Sequence, residues 1–200
     1  MIVKIDSSEN YVLAENVKVA IEKLKKIAPK CTDEKVNVNL SEIKDLNKVK
    51  ITLNDTDDIV FIFAHGAENH VGNFDLENLT NLFENSAGKT FVFISCKSGV
   101  KVNNISFAEK FAEKNKCRVL APNGCSVFSM NGIAVIPVEK ENIYDAMQKK
   151  LEKEYKEQVL NKMFDACVSD EKCKTITWDD LTRLEQLTEH GFLCVDKRPK

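Results

Sequence analysis

Two short runs of apolar residues dominate the hydrophobic pattern of this chain. Residues 59–64 read Ile-Val-Phe-Ile-Phe-Ala, and residues 90–95 read Thr-Phe-Val-Phe-Ile-Ser. Short continuous runs of this kind, rich in β-branched and aromatic side chains, are typical of strands buried on both faces of a parallel sheet. A third run at residues 118–121 and an alternating segment at residues 1–6 predict two more strands.

Helical periodicity separates these predicted strands. Apolar residues recur at helical spacing in three segments, at residues 10–28, 74–83 and 106–115. Short β-like segments at residues 36–40 and 49–53 predict edge strands or a hairpin, and Asn131-Gly132 predicts the turn of a hairpin at residues 125–138. Strands that alternate with helices favour a parallel sheet with right-handed crossovers. The sequence therefore predicts an α/β fold, a three-layer α/β/α sandwich with a mostly parallel sheet.

The pattern changes after residue 138. Residues 139–167 predict one long charged helix whose apolar stripe includes Ile143, Met147 and Leu151, and residues 177–187 predict a second helix. We therefore expect an α/β domain of residues 1–138 and a helical C-terminal extension of residues 139–200 that packs on it. The extension is expected to serve as scaffold and to supply no catalytic group.

A reactive side chain follows each of the two main apolar runs. His65 and Gly66 come directly after residues 59–64, and Cys96 comes directly after residues 90–95. If the two strands are parallel neighbours, both side chains emerge at the carboxyl edge of the sheet, where open α/β sheets build their sites. Histidine beside cysteine is a pairing that activates a thiol nucleophile. Each residue alone could be structural, but together they predict a catalytic pair.

Charge and cysteine content narrow the function classes. The 200 residues carry a net charge of −2 and only three Arg, so the sequence predicts no nucleic-acid binding. No apolar stretch approaches the roughly 20 residues that a membrane span needs. The N-terminus lacks the features of a cleaved signal peptide. Seven cysteines without a dense framework indicate reduced thiols, which favours an intracellular environment.

The two strand-end motifs, in this order and spacing, resemble those of caspase-like cysteine peptidases, a clan that includes caspases, legumain, gingipain, separase and autoprocessing domains of bacterial toxins. The resemblance covers residues 59–138. Within it, residues 94–99, 106–112 and 119–124 resemble in particular the caspase-like domains of bacterial toxins and effectors. Ile94 and Ser95 precede the cysteine, in place of the Gln-Ala of caspases, so cleavage after aspartate is not implied.

The resemblance implies a cysteine endopeptidase that cleaves a protein or peptide substrate, itself included, and that acts as an effector or toxin-type protease. Such a protein would be cytoplasmic, or exported into a host cell without a cleaved signal peptide. Cys96 would be the nucleophile and His65 would protonate the leaving amine. The backbone N–H groups of Gly66 and Cys96 would hold the oxyanion. Asp6, at the end of the first predicted strand, would orient His65.

Other hypotheses remain open at this point. The chain could be a catalytically silent caspase-like module that binds a protein partner through its C-terminal helices, or a cysteine acyltransferase or cyclase with the same pair. The hairpin at residues 125–138 could wall a specificity pocket or be ordinary sheet-edge structure. Cys167, Cys173, His190 and Cys194 lack the spacing of common zinc sites, so the sequence predicts no metal and no cofactor.

Overall fold

The structure, a computed structural model, describes residues 1–6, 11–27, 36–39, 49–155 and 158–200. In chain order the strands are β1 (Ile2–Asp6), β2 (Val36–Asn39), β3 (Ile51–Thr52), β4 (Ile59–Phe63), β5 (Gly66–Ala67), β6 (His70–Val71), β7 (Phe83–Glu84), β8 (Thr90–Ile94), β9 (Lys101–Val102), β10 (Ile105–Ser106), β11 (Arg118–Pro122), β12 (Cys125–Phe128), β13 (Gly132–Ile136), β14 (Lys174–Thr177) and β15 (Phe192–Asp196). The α-helices are α1 (Tyr11–Ile27), α2 (Leu76–Leu82), α3 (Phe107–Asn115), α4 (Glu141–Glu154) and α5 (Val159–Val168), with 3₁₀ segments at Val138–Lys140 and Leu184–His190.

The centre of the molecule is a six-stranded sheet in the order β15-β11-β8-β4-β1-β2. Neighbouring strands from β11 to β2 run parallel, and β15 runs antiparallel to β11 at the opposite edge. The mostly parallel sheet, with helices packed against it, is compatible with an α/β/α sandwich and confirms the predicted α/β fold. The apolar runs at residues 59–64 and 90–95 form the neighbouring strands β4 and β8, as their patterns predict.

One face of the central sheet is covered by α2 and α3. Aromatic rings join the helices to the sheet: the Phe91 and Phe111 ring centroids are 5.1 Å apart in an edge-to-face arrangement, and Phe93 lies 5.2 Å from Phe111. Edge-to-face pairs stabilise beyond the apolar area they bury, by about 0.5–1.5 kcal/mol each. α3 begins at a capping box in which the Ser106 hydroxyl accepts from the Glu109 backbone and the Glu109 carboxylate accepts from the Ser106 backbone.

The other face of the central sheet is covered by α1 and by a second, antiparallel sheet of order β12-β13-β14. Alternation along β13 explains how this second sheet is buried on both faces. Ile133 and Val135 pack in the same cluster as Phe61 of the central sheet, whereas Ala134 and Ile136 pack with residues of α4 and α5. The second sheet therefore lies between the central sheet and the pair α4 and α5.

The chain after residue 138 differs from the helical extension expected from its sequence. It contributes β14 to the second sheet and β15 to the central sheet. The segment predicted as a helix at residues 177–187 is a turn followed by a 3₁₀ segment. Trp178, in this turn, is buried, and its indole N–H donates to the Ser129 carbonyl at 3.0 Å. Burial of this ring against Phe63, with centroids 6.1 Å apart, holds the segment in the core.

The long helix predicted at residues 139–167 is divided into α4 and α5. Tyr155 ends α4 with backbone angles outside the helical region, φ −139° and ψ 55°. Met147 and Leu151 of the predicted stripe pack against the second sheet, as predicted. Ile143 and Tyr155 are exposed and Tyr144 is buried, because the face of α4 that meets the second sheet is rotated from the predicted stripe. None of the helices in the described ranges is long and apolar enough to cross a membrane.

Candidate functional site

His65 and Cys96 meet at the carboxyl end of the central sheet. Phe63 of β4 pairs with Ile94 of β8, and the Ala64 backbone N–H donates to the Ile94 carbonyl at 3.3 Å. His65 and Cys96 each lie two residues beyond this pair, so the parallel register brings them to equivalent positions. Both residues line one cavity of about 180 Å³. The predicted placement of the two strand ends is therefore confirmed, while the catalytic roles of the residues stay predictions.

Gly66 allows the loop after β4 to lie directly against the turn that carries Cys96. A Cβ atom at Gly66 would stand 2.8 Å from the Cys96 carbonyl oxygen and 2.9 Å from the Ser95 Cβ, both too close for any other residue without a shift of backbone. The turn itself is fixed by the buried hydroxyls of Ser95 and Ser98, which are 3.0 Å apart. The sequence thus requires glycine at the predicted oxyanion position.

The sulfur of Cys96 is held by the first residues of β12. The Ser126 backbone N–H donates to Cys96 Sγ at 3.2 Å, and the Ser126 carbonyl lies 3.4 Å from the same sulfur. The pKa of Cys96 lies below that of an ordinary thiol, and the largest cause is a hydrogen bond from the Cys125 thiol. The Ser126 N–H and the Lys97 charge also lower this pKa, whereas burial raises it. Cys96 is therefore more easily ionised than an ordinary cysteine.

Lys97 connects three parts of the site. Its backbone is in the left-handed region, with φ 57°, and its N–H donates to the Gly124 carbonyl at 2.8 Å. Its Nζ lies 2.5 Å from Glu141 of α4 and 3.5 Å from Glu68 in the loop after His65. The hydrogen bond to Glu141 raises the pKa of Lys97, so this cation stays charged beside Cys96.

The imidazole of His65 is exposed at the cavity mouth, and desolvation by the surrounding protein lowers its pKa. A lowered pKa leaves the ring neutral at pH 7, able to accept a proton. Asp6 lies at the end of β1, the strand on the other side of β4. Lys4 pairs with Phe63, so Asp6 is two residues beyond that pair, as His65 is. The side chain of Asp6 lies outside the described residues.

The remaining cavity wall comes from the hairpin β12–β13 and from the two helices after it. The lining residues from these elements are Cys125, Ser126, Val127, Phe128, Ile136, Glu141, Tyr144, Asp145, Gln148, Leu160 and Met163. The hairpin therefore walls the cavity, which was one of two readings of its sequence. The contribution of α4 was missed. The sequence holds only a faint signal of this contribution. Glu141, Asp145 and Gln148 share a helix face with Tyr144, but that spacing is also typical of a solvated face.

The cysteines and histidine considered as zinc ligands have other neighbours. His190 Nδ1 lies 2.7 Å from the Thr175 carbonyl oxygen, and Cys194 Sγ accepts from Arg118 Nε at 3.5 Å. Within the described ranges, no group of three or more His, Cys, Asp or Glu side chains could hold a metal ion.

Comparisons of the chain with protein-family models, with curated proteins and with solved structures gave no significant match. The chemistry available to the site is therefore read from its own residues. A thiol with a lowered pKa and a neutral imidazole beside one cavity can carry out acyl transfer through a thioester.

Proposed function

We propose that this protein is a cysteine endopeptidase of caspase-like type, with Cys96 as nucleophile and His65 as general acid and base. The observation that carries the proposal is the meeting of His65 and Cys96 at one cavity, at the carboxyl ends of the adjacent parallel strands β4 and β8. A thiol ready to ionise and a proton acceptor at the same cavity are the two groups that peptide-bond cleavage by cysteine requires.

The proposed reaction proceeds in two stages. The Cys96 sulfur attacks the scissile carbonyl carbon while His65 takes the thiol proton, and the N–H groups of Gly66 and Cys96 stabilise the oxyanion. The C–N bond then breaks, and His65 delivers the proton to the leaving amine. Neutral His65 next removes a proton from water, the hydroxide attacks the thioester, and the C–S bond breaks to release the carboxylic acid product and restore the thiol.

The surroundings of the pair support this division of roles. The Cys125 thiol and the Ser126 N–H stabilise negative charge on Cys96 sulfur, and Lys97 adds a positive charge nearby. The close approach of Gly66 to the Cys96 carbonyl brings the two proposed oxyanion donors to neighbouring backbone segments. We include Asp6 as the residue that orients His65, because its strand borders β4. The resemblance to toxin and effector domains extends the proposal to a protease that acts on another cell's proteins.

A covalent probe and a peptide library test the proposal together. A thiol-reactive peptide should label Cys96 selectively in the wild type and should not label Cys96→Ala. Cleavage of library peptides should be lost in Cys96→Ala and in His65→Ala. It should persist in Cys194→Ala, which removes a half-buried thiol that does not line the cavity. The melting temperature of Cys96→Ala should stay close to that of the wild type, because a partly exposed thiol contributes little to packing. Loss of cleavage without loss of stability would then be a loss of chemistry.

Two results would count against the proposal. Unchanged cleavage by Cys96→Ala would assign the activity elsewhere. Absence of Cys96-dependent labelling and cleavage would favour the catalytically silent binding module. Transfer of the acyl group to an added amine in place of water would favour the cysteine acyltransferase.

A further inference from the structure

The cavity at Cys96 continues along one face of α4. Glu141 marks the end nearest the nucleophile, because its Oε1 lies 3.7 Å from Cys125 Sγ and 2.5 Å from Lys97 Nζ. Asp145 and Gln148 follow on the same face and also line the cavity. Since an α-helix rises 1.5 Å per residue, Asp145 lies about 6 Å and Gln148 about 10 Å further along the helix axis.

The wall beside this helix face is largely apolar. It is formed by Val127 and Ile136 of the hairpin and by Leu160 and Met163 of α5. Apolar walls of this kind favour an aliphatic chain, because its burial removes hydrocarbon surface from water. A buried polar atom lies at the Cys96 end: among the described residues, Ser126 Oγ has no hydrogen-bond partner. Such an atom in a cavity is a candidate contact for the polar backbone of a substrate.

The charges around the cavity are predominantly negative. Lys97 is already engaged by Glu141 and Glu68, and His65 is neutral at pH 7. Asp145 is exposed at the cavity wall, and within the described part of the chain it takes part in no ion pair. An uncompensated carboxylate one helical turn beyond the nucleophile end favours a positively charged group at that depth.

We propose that this cavity binds the side chain of the substrate residue that donates the scissile carbonyl, that this residue is basic, and that Asp145 determines the preference. An extended lysine side chain reaches about 6 Å from its Cα to its ammonium, through bonds of about 1.5 Å, which matches one turn of α4. Its methylene groups pack on the apolar wall and its ammonium meets Asp145. An acidic side chain at the same place would meet Asp145 and Glu141 with like charge. The inference rests on the proposed peptidase function.

Matched covalent peptides test this inference. Three acyloxymethyl ketone peptides differ only in the residue next to the reactive group, which is lysine, norleucine or glutamate. The Cys96 thiolate displaces the acyloxy group as a carboxylate and forms a thioether, so intact-mass measurements give the labelling rate. Norleucine has the lysine stem without its charge. We expect lysine to react about two- to fivefold faster than norleucine, as for an ion pair with an exposed carboxylate, and glutamate to react slowest.

Variants separate Asp145 from the cavity as a whole. In Asp145→Asn the lysine-to-norleucine ratio should fall to about one, because the charge contact alone is removed, and in Asp145→Lys glutamate should become the fastest probe. Asp165→Asn, an exposed carboxylate on α5 that does not line the cavity, should leave the ratio unchanged.

The outcomes distinguish the two proposals. If the norleucine or the glutamate peptide labels Cys96 as fast as the lysine peptide or faster, the basic preference is overturned, and the proposed peptidase function stands. A lysine preference that survives in Asp145→Asn overturns the role of Asp145. If iodoacetamide alkylates Cys96 but none of the three peptides does, the proposed function fails, and the inference fails with it.

Discussion

At the scale of single residues, the reactivity of Cys96 depends on its neighbours in β12. The largest influence on its pKa is the thiol of Cys125, which stands just before the backbone N–H that bonds to the same sulfur. The pKa of Cys125 is raised in turn by its interaction with Cys96 and by desolvation. Of the two thiols, Cys96 is therefore the one that ionises more easily.

Replacing Cys125 tests this coupling. In Cys125→Ala the pKa of Cys96 should rise, because the strongest hydrogen bond to the thiolate is lost. For each unit by which the pKa rises, the fraction of thiolate at pH 7 falls about tenfold. A more basic thiolate is also a better nucleophile, which offsets part of this loss, so iodoacetamide alkylation at pH 7 should slow roughly threefold per pKa unit. The pH dependence of Cys96 alkylation, followed by peptide mass, gives the pKa directly. Cys194→Ala serves as control, and an equal shift in both variants would rule out a specific contact.

The pKa values of His65 and Cys96 predict a pH profile for the peptidase. The reactive pair carries one proton, shared between sulfur and imidazole. On the acid side, a second proton binds with the pKa of His65, which is lowered. On the alkaline side, the shared proton is lost with the pKa of Cys96, which is also lowered. The pH profile of kcat/KM should be bell-shaped. The midpoint of its acid limb should lie below about pH 6.5, and the midpoint of its alkaline limb should lie below about pH 8.5. An acid limb above neutrality would contradict a neutral His65.

At the scale of secondary-structure elements, the turn that carries Cys96 is supported from both sides. The loop after β4 reaches it through Gly66, and α4 reaches it through the ion pair of Glu141 with Lys97. The helices on the opposite face stabilise the sheet and do not contact the cavity. Contributions to stability and to the site should therefore be separable by mutation.

The N-cap of α2 provides such a test. The Asp75 side chain accepts from the Asn78 backbone N–H at 2.8 Å, and Asp75 is exposed. Asp75→Ala should lower the free energy of unfolding by about 1 kcal/mol, whereas Asp75→Asn should retain most of it, because asparagine caps helices equally well. Urea unfolding gives both values. The rate of Cys96 labelling should be the same in both variants, and a slower rate in Asp75→Ala would show that the two properties are coupled.

At the scale of the whole molecule, the segment after residue 138 completes both sheets. β15 pairs along the full length of β11, and β14 extends the hairpin β12–β13. Trp178 packs into the same cluster as Phe61 and Phe63 of the central sheet. The residues expected from sequence to form a helical extension packed on the domain therefore bury surface that the first 138 residues would otherwise expose to water.

Truncation tests this dependence. A chain of residues 1–138 should show no cooperative unfolding transition, because it lacks β14, β15 and Trp178 and leaves the edge of β11 unpaired. A chain of residues 1–197 should unfold like the full protein, since it loses only the end of the tail after β15. Trp178→Ala in the full chain should cost about 3–5 kcal/mol. A fragment of residues 1–138 that unfolds cooperatively would show that the α/β part is independent.

The sequence by itself determined the strands β4 and β8, the helices between the sheet strands, and the pairing of His65 with Cys96 at one sheet edge. These features follow from local patterns: continuous apolar runs define buried strands, and parallel neighbours must share a carboxyl edge. Gly66 could be singled out from its position after His65. The close contact that requires glycine there became visible only in the structure.

The tertiary structure alone decided the rest of the cavity and the place of the C-terminal segment. Phe192 to Val195 is a short apolar run, but nothing local reveals that it runs antiparallel to β11. The periodicity of residues 139–167 does not reveal where that helix ends or which face meets the second sheet. These outcomes depend on partners distant in the chain: Tyr144 is buried against the second sheet and Trp178 against the central sheet. Most of the stability of a helix in a protein comes from such tertiary packing, which local periodicity does not encode.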